Sequence, residues 1–424
     1  ITALYAYEIM LNQSLSKSNL LKLIGYADYT KYKQLGVSKK QTMEIMNDIS
    51  KTISDPSYKV ESVNSIELND FQIFSLNTIE SDFALRKIND SLKRFYKVKQ
   101  ADRNLIVFQI IALLKESIPM SIIKLDIQKF YESIDRNSLL EKLTNDSLLS
   151  ENSIRILTEF FELPEFGGFK GLPRGINLSA TLSELFLRDF DRKVNFHPSV
   201  YYYSRYVDDI IIFTTGDPSM VIKEIEDEMF LPLPLAFNSK KTKSFQVKPK
   251  STQPENILFF EYLGYRFSFS DVAVKSKNEF TDKSIKVSLA EKKVKRYKTR
   301  IVKAFLDYLK SSDFGLLESR IKFLTGNYPI KTNFSDNSVL YSGLYFNYPF
   351  INDQSDLIDL TLFLRKIISA KNKSFGTKMS VALNAAQRQR LSRYNFKAGW
   401  DNRKVNSHFG PDLVKEIKKC WRNG

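Results

Sequence analysis

The chain has 424 residues, 43% hydrophobic and 26% charged, with 64 Lys plus Arg against 48 Asp plus Glu and a formal net charge of +16. That length predicts two or three packed subdomains around a large core, and that basicity points to a polyanionic partner such as nucleic acid. One cysteine (Cys420) and two histidines (His197 and His408) exclude an intrachain disulfide and argue against a zinc site, a His-centred nuclease or a Ser-His-Asp hydrolase.

Residues 1–60 read as helical. Met43, Met46, Ile49 and Ile53 recur at helical spacing, and Asp55-Pro56 breaks the pattern. Residues 83–117 are rich in basic side chains and end in an apolar helix, Leu105 to Leu114. Within them Arg94–Asn104 (RFYKVKQADRN) is basic and alternates in part. The central third changes character. β-type runs at Ile122–Asp126, Tyr201–Tyr206 and Ile210–Phe213 are separated by helical patterns at Leu139–Leu143, Ile154–Phe161 and Leu182–Phe190, which predicts an α+β layer. Phe259–Phe269 reads as a hairpin, Glu291–Leu309 as a strongly basic helix, and the last 110 or so residues as mostly helical, with turns at Gly326-Asn327 and Tyr328-Pro329. No signal peptide and no run of about 18 apolar residues is found, so a cytoplasmic protein that does not enter the membrane is expected.

The chemistry centres on Tyr206-Val207-Asp208-Asp209, between the apolar runs YYYSRY and IIIF. A hairpin turn there would hold two carboxylates at one tip. A surface β-turn would have the same sequence, since Asp is common in turns. Acids flanked by strands this apolar are costly to bury without a cation. Asp126 ends another short apolar strand, where it can project beside that tip. Three carboxylates from adjacent strands can hold two Mg²⁺ about 3.5–4 Å apart. Asp135 has a plainer reading as the N-cap of a helix starting near Arg136.

IIKLDIQKFY, GLPRGINLSATLSELF and YSRYVDDIIIF resemble motifs A, B and C of reverse transcriptases, in that order. LAFNSKKT, with Lys241, resembles motif D, and EYLGY (Glu261–Tyr265) resembles the motif E primer grip. Arg94–Asn104 resembles a fingers strand of the same family. The resemblance covers about 95 to 310. It implies a right-hand polymerase of the α+β class. The expected domains are a helical N-terminal region (1–82), fingers (83–120), palm (121–270), thumb (271–325) and a helical C-terminal extension (326–424).

The resemblance also implies roles. Asp126, Asp208 and Asp209 would be catalytic and, with Ile127, would hold two Mg²⁺, with Mn²⁺ the alternative ion. Tyr131, five residues after Asp126, matches the steric-gate position that rejects a ribose 2′-hydroxyl. Gly171 and Gly175 bracket Leu-Pro-Arg, where a backbone can approach a nucleotide closely. Gly175, Lys241 and the fingers cations Arg94, Lys97, Lys99 and Arg103 would bind the incoming nucleotide. Arg174, Tyr206, Leu263, Gly264 and the thumb-helix cations Lys292, Lys295 and Arg296 would bind template and primer.

Three positions depart from the family pattern: Arg174 stands where Gln is usual, Ala180 where Pro is, and Glu184 where retron and intron enzymes favour Asn. RGINLSATLSELFL, FYESID and RIKFLTGNY…GLYFNYPF look similar to bacterial defence-associated and abortive-infection enzymes. The implied function is RNA-directed DNA synthesis from dNTPs in antiphage defence. The implied partners are an RNA template such as a noncoding RNA, the DNA product, and a second polymerase or further copies of the chain. The alternatives are an untemplated or protein-primed DNA polymerase and a non-catalytic RNA-binding scaffold. The complete acidic set argues against the scaffold.

Overall fold

The computed structural model describes residues 12–36, 38–68, 71–116, 118–230, 233, 235–248, 256–270, 285–331, 339–371, 373–406 and 409–422. Residues 1–11 of the expected N-terminal helical region, residues 271–284 at the expected start of the thumb, and His408 lie outside them. The chain forms two compact units: Ile1–Ile106 with Pro119–Lys248, and Val107–Ile118 with Pro249–Gly424.

In the first unit, helix α1 (Lys39–Ser54) buries Thr42, Met46, Ile49 and Ile53, while Met43 is exposed. Ser38 caps it by accepting from the Gln41 amide, and it stops at Asp55, before Pro56. Residues 1–82, expected to be helical, also contain an antiparallel hairpin, β1 (Val63–Leu68) and β2 (Phe71–Leu76). It leaves little signal because few of its side chains are buried; Val63 and Phe74 are the buried ones.

Helix α2 (Ile79–Phe95) is buried along most of its length. The expected strand over Arg94–Asn104 is instead the end of α2, a turn and the start of α3 (Arg103–Lys115). Arg94 sits in the last turn of α2, where a cation complements the terminal carbonyls, and pairs with Asp90 at 3.1 Å. Lys97 takes φ 50°, and Asp102 accepts the Asn104 amide at 2.8 Å to start α3.

A four-stranded antiparallel sheet follows, in spatial order β4-β5-β3-β6. Its strands are β3 (Met120–Asp126), β4 (Val200–Tyr206), β5 (Asp209–Thr214) and β6 (Lys243–Val247). β3 and β5 are central and nearly all buried, so they read as apolar runs rather than alternating ones. Ile123, Leu125, Ile210 and Ile212 belong to the same core as Phe83, Ile88 and Leu92 of α2. Between β3 and β4 run α4 (Arg136–Asp146), α5 (Glu151–Phe161), α6 (Asn177–Phe186) and α7 (Arg188–Asn195). Asp135 caps α4 by accepting from the Ser138 amide, as its plainer reading had it. The expected helix over Leu182–Phe190 is broken at Leu187 into α6 and α7.

The second unit opens with an antiparallel sheet of β7 (Ile257–Tyr262), β8 (Tyr265–Ser270) and β9 (Lys286–Leu289). Helix α8 (Glu291–Ser311) buries Ile301, Ala304, Phe305 and Tyr308. After it come α9 (Phe314–Thr325) and a hairpin of β10 (Asn327–Lys331) and β11 (Val339–Gly343). That hairpin stands inside the tail expected to be helical. Its Pro329 is tolerated because a two-stranded ribbon has only edge strands. Helices α10 (Ser355–Ile368), α11 (Lys373–Ala382), α12 (Ala385–Ser392), α13 (Phe396–Asp401) and α14 (Pro411–Arg422) complete the unit. Phe323, Phe409 and Ile417 form a small core there, and the Trp421 indole donates to the Arg300 carbonyl at 3.0 Å.

Among the described residues no helix is long and apolar enough to cross a membrane.

Candidate active site

Strand pairing alone brings the acids together. Asp126 and Asp209 are direct partners in the β3–β5 register, and Tyr206 pairs with Asp209 across β4–β5. Val207 and Asp208 form the two-residue turn between them. Val207 takes φ 61°, a left-handed conformation that β-branched side chains avoid. Such an outlier costs about 1–3 kcal/mol and survives only where its surroundings hold it. The Val207 carbonyl accepts from Arg205 at 2.9 Å, and the Asp208 carbonyl accepts the Ile127 amide at 3.1 Å. The turn is thereby tied to both neighbouring strands.

Burial pushes the Asp208 carboxyl up, reinforced by the charge of Asp126. Burial also pushes Asp209 up to about 6, with Asp208 and Asp126 adding to the shift. Low-dielectric surroundings and like charges both disfavour the ionised forms. Lys124, Lys241 and Arg174 are the cations that oppose this most.

Lys241 donates to both oxygens of Asp126, each at 2.9 Å. The Asn238 side-chain amide stands 3.4 Å from Oδ2, and the Asn238 backbone amide donates to the Asp126 carbonyl at 2.8 Å. The motif D segment is thus laid along the end of β3. Among the described residues no group of three or more His, Cys, Asp or Glu side chains is placed to hold a metal ion as it stands, and Lys241 covers Asp126. The chemistry of the donor set fits a hard divalent cation: three carboxylates, Asp126 buried and Asp208 and Asp209 half-buried, the latter two held above their usual range chiefly by desolvation.

The loop before α6 closes on both sides. A Cβ on Gly171 would overlap the Glu132 backbone, so the loop lies directly on the turn that follows β3. Gly175 takes φ 95°, and a Cβ there would overlap the Phe74 carbonyl oxygen. Phe74 donates its amide to the Arg174 carbonyl at 2.7 Å, and Ile73 bridges Arg174 in parallel. The β1–β2 hairpin is therefore zipped onto this loop.

Arg174 lies between rings, its guanidinium carbon 4.3 Å from the Phe71 centroid and 5.1 Å from that of Tyr131. Both its Nε and Nη2 donate to Glu132. The half-buried Tyr131 packs on Phe130, its centroid 5.1 Å away. Burial raises the Tyr131 hydroxyl, and a hydrogen bond with Ser183 of α6 offsets part of that.

Glu184, a departure from the retron and intron pattern, has a partner. Arg205 Nη2 donates to Glu184 Oε2 at 2.7 Å and to Asp191 Oδ2 at 2.7 Å. Motifs B and C are joined by a buried ion pair where an Asn would leave Arg205 one charge short.

The first unit thus gathers Asp126, Ile127, Asp208, Asp209, Tyr131, Arg174, Gly175, Tyr206 and Lys241. Arg94, Lys97, Lys99 and Arg103 lie on the α2–turn–α3 segment, outside the strongest cationic influences on Asp208 and Asp209. In the second unit Leu263 (φ 48°) and Gly264 (φ 85°) are the two-residue turn of the β7–β8 hairpin, left-handed at both positions. Lys292, Lys295 and Arg296 lie exposed on the first turns of α8, and Lys295 pairs with Glu291 at 2.5 Å. Sequence reasoning missed Lys124, Glu132, Asn238 and Arg205. Only Lys124 left a usable signal, since it sits two residues before Asp126 and shares its strand face.

No curated protein matches the sequence. Among solved structures, apo telomerase from Candida tropicalis truncated from the C-terminal domain is similar at 13% identity. It covers 56% of this chain and 60% of its own, with a TM-score of 0.35. Telomerase from Candida albicans in complex with a TWJ fragment of telomeric RNA is similar at 12% identity, covering 84% and 61%, with a TM-score of 0.36. The chain spans about three fifths of the length of these structures, and family membership does not rest on them. Residues 37–267 match the family described as reverse transcriptase (RNA-dependent DNA polymerase). That match runs over more than half the chain and takes in Asp126, Asp208, Asp209, the glycine-bracketed loop and the Lys241 segment: the chain belongs to the reverse transcriptase family.

Proposed function

We propose that the chain is an RNA-directed DNA polymerase that joins dNTPs by two-metal phosphoryl transfer at Asp126, Asp208 and Asp209. The observation that carries this is the direct pairing of Asp126 with Asp209 beside the Val207–Asp208 turn, with Asp208 and Asp209 both held high by burial. The three carboxylates and the Ile127 carbonyl would hold two Mg²⁺, with Mn²⁺ as the alternative. When bound, these ions activate the primer 3′-hydroxyl and neutralise the leaving pyrophosphate.

The chain's own residues do the rest. Lys241 leaves Asp126 for the leaving phosphate, which it neutralises or protonates. Tyr131, wedged under Arg174, closes the sugar side of the nucleotide pocket. Tyr131→Ala is expected to raise rNTP use relative to dNTP by roughly 10–100-fold, read as the ratio of kcat/KM values. An unchanged ratio removes the gate.

Arg174 with the β1–β2 hairpin would contact template or incoming nucleotide, and Tyr206 the primer end. Gly175, whose side-chain space the Phe74 carbonyl fills, would meet the nucleotide with its backbone on the side the hairpin leaves open. Arg94, Lys97, Lys99 and Arg103 stay candidates for the triphosphate, now as a helix–turn–helix segment. The Leu263–Gly264 turn would hold the primer, and Lys292, Lys295 and Arg296 the duplex phosphates. Reversing those three charges is expected to flatten the salt dependence of primer–template binding by about 0.9 in slope for each phosphate no longer neutralised. An identical slope would make that helix face a solvated one.

On the resemblance of RGINLSATLSELFL, FYESID and the tail to defence-associated enzymes, we place the activity in cytoplasmic antiphage defence, with a noncoding RNA, a second polymerase or further copies as partners. The expected layout keeps fingers at 83–120, palm at 121–270 and thumb at 271–325, with β1–β2 added to the fingers. The deciding experiment incubates purified protein with Mg²⁺, labelled dNTPs and RNA, then sequences the product. DNA complementary to RNA supports the reading. DNA matching no template, or joined to protein, supports the untemplated or protein-primed alternative. No DNA under any condition favours the scaffold.

A further inference from the structure

We propose a second, non-catalytic phosphate site in the C-terminal part of the chain, taking a backbone phosphate of single-stranded RNA. It is a cavity of about 210 Å³ between the end of α9 and the α12–α13 turn. Lys322, Arg393 and Lys404 converge on it, and no carboxylate lines it. None of the three cations has an ion-pair partner among the described residues. This contrasts with nearby Arg390, held by Glu318 at 2.6 Å, and Arg320, held by Asp307 at 2.6 Å.

A second observation points to a ligand. Asn406 is only 8% exposed, yet its side-chain amide has no hydrogen-bond partner among the described residues. It lines the cavity, with Nδ2 2.6 Å from where a Cβ on Gly326 would stand. The Asn406 amide is therefore free to donate to a ligand oxygen in the cavity.

The walls are already built. The Asn327 amide donates to the Lys404 carbonyl at 2.8 Å and the Asn406 amide to the Asn327 carbonyl at 2.7 Å. Gly399 rests directly on the Thr325 carbonyl, so α13 is pressed against the end of α9.

Charge arithmetic decides the sign of the ligand. The carbonyl end of α9 contributes about −0.5 of a charge, which Lys322 in its last turn already offsets. Arg393 and Lys404 are surplus. They stand exposed at the rim, where a polynucleotide can pass over the cavity and set one phosphate into it. A guanidinium, two ammoniums and a neutral amide suit a phosphate oxyanion. A free phosphate or nucleotide would present the same group.

The test uses the full chain without Mg²⁺ or dNTPs, so its failure does not bear on polymerase chemistry. Labelled single-stranded RNA is titrated at salt concentrations from 50 to about 200 mM. Arg393→Gln with Lys404→Gln is expected to weaken binding roughly 3–10-fold at the upper salt and to flatten the salt slope by about 0.7 for each phosphate released. Asn406→Asp, nearly isosteric, is expected to weaken it likewise. Lys40→Gln with Lys51→Gln, at exposed positions on α1 that do not line the cavity, is the control and should change little. In a second arm, inorganic phosphate should raise the melting temperature of the parent chain at constant ionic strength and not that of the variants.

Loss of RNA affinity in the cavity variants alone supports the polynucleotide source. Loss of the phosphate-dependent melting shift with RNA binding intact keeps the site but assigns it to a free phosphate or nucleotide. Equal losses in control and cavity variants, or no change in either arm, overturns the site.

Discussion

Asp208→Asn is expected to cut nucleotide incorporation by more than about 10³-fold, or about 4 kcal/mol of transition-state stabilisation. It removes one charge from the three-carboxylate set and leaves the shape of the turn. The fold should survive, and for a specific reason. Burial and Asp126 raise the Asp208 carboxyl, so its ionised form is disfavoured in the folded state. Raised in the folded state, that carboxyl works against stability once pH passes its unfolded value, and a neutral amide relieves this. At neutral pH the variant should therefore melt at or above the parent temperature and still bind RNA. Primer extension with matched thermal melts tests both halves. Polymerisation that persists sinks the metal-site assignment, and a variant that unfolds sinks the electrostatic account.

Arg205→Met should be the most damaging single change to the fold around the site. The Arg205 side chain is 3% exposed. Its Nε donates to Asp191 at 2.8 Å, Nη2 to Asp191 and Glu184 at 2.7 Å each, and Nη1 to the Val207 carbonyl at 2.9 Å. Removing it strands Glu184, whose carboxyl burial already raises, and Asp191, which also accepts from the Tyr203 hydroxyl at 2.5 Å. Breaking a buried pair in this way costs about 3–5 kcal/mol, a fall of roughly 10 °C in melting temperature for a unit of this size. The Val207 turn also loses a restraint on its left-handed backbone, so activity should fall further than stability alone explains. Adding Glu184→Gln should recover part of the loss by removing one stranded charge. A melting temperature unchanged in the single variant would refute the buried-pair account.

Much of this was legible in the residues. β3 and β5 are nearly continuous apolar runs, and central strands buried on both faces have to be, while β4, an edge strand, reads from its aromatic content. Asp135 as an N-cap and the break at Asp55-Pro56 follow from local backbone chemistry, which a few adjacent residues specify. The β1–β2 hairpin was not legible, because most of its side chains face solvent and its order comes from docking on the Arg174–Gly175 backbone. The strand expected at Arg94–Asn104 failed for a related reason: partial alternation over a few basic residues is weaker than a helix end already satisfied by Arg94 and a helix start supplied by Asp102.

The three aspartates show where the division lies. The sequence by itself determined that Asp126, Asp208 and Asp209 end or join apolar strands, because strand period and turn chemistry are local and cannot be hidden. It also determined the family, through the order and spacing of its motifs. Only the tertiary structure decided that Asp126 faces Asp209, that Lys241 lies across Asp126, that Arg174 is held between Phe71 and Tyr131, and that Glu184 answers Arg205. Each of those pairings joins residues far apart in the chain, and which partner meets which is set by strand register and helix packing rather than by neighbours in sequence.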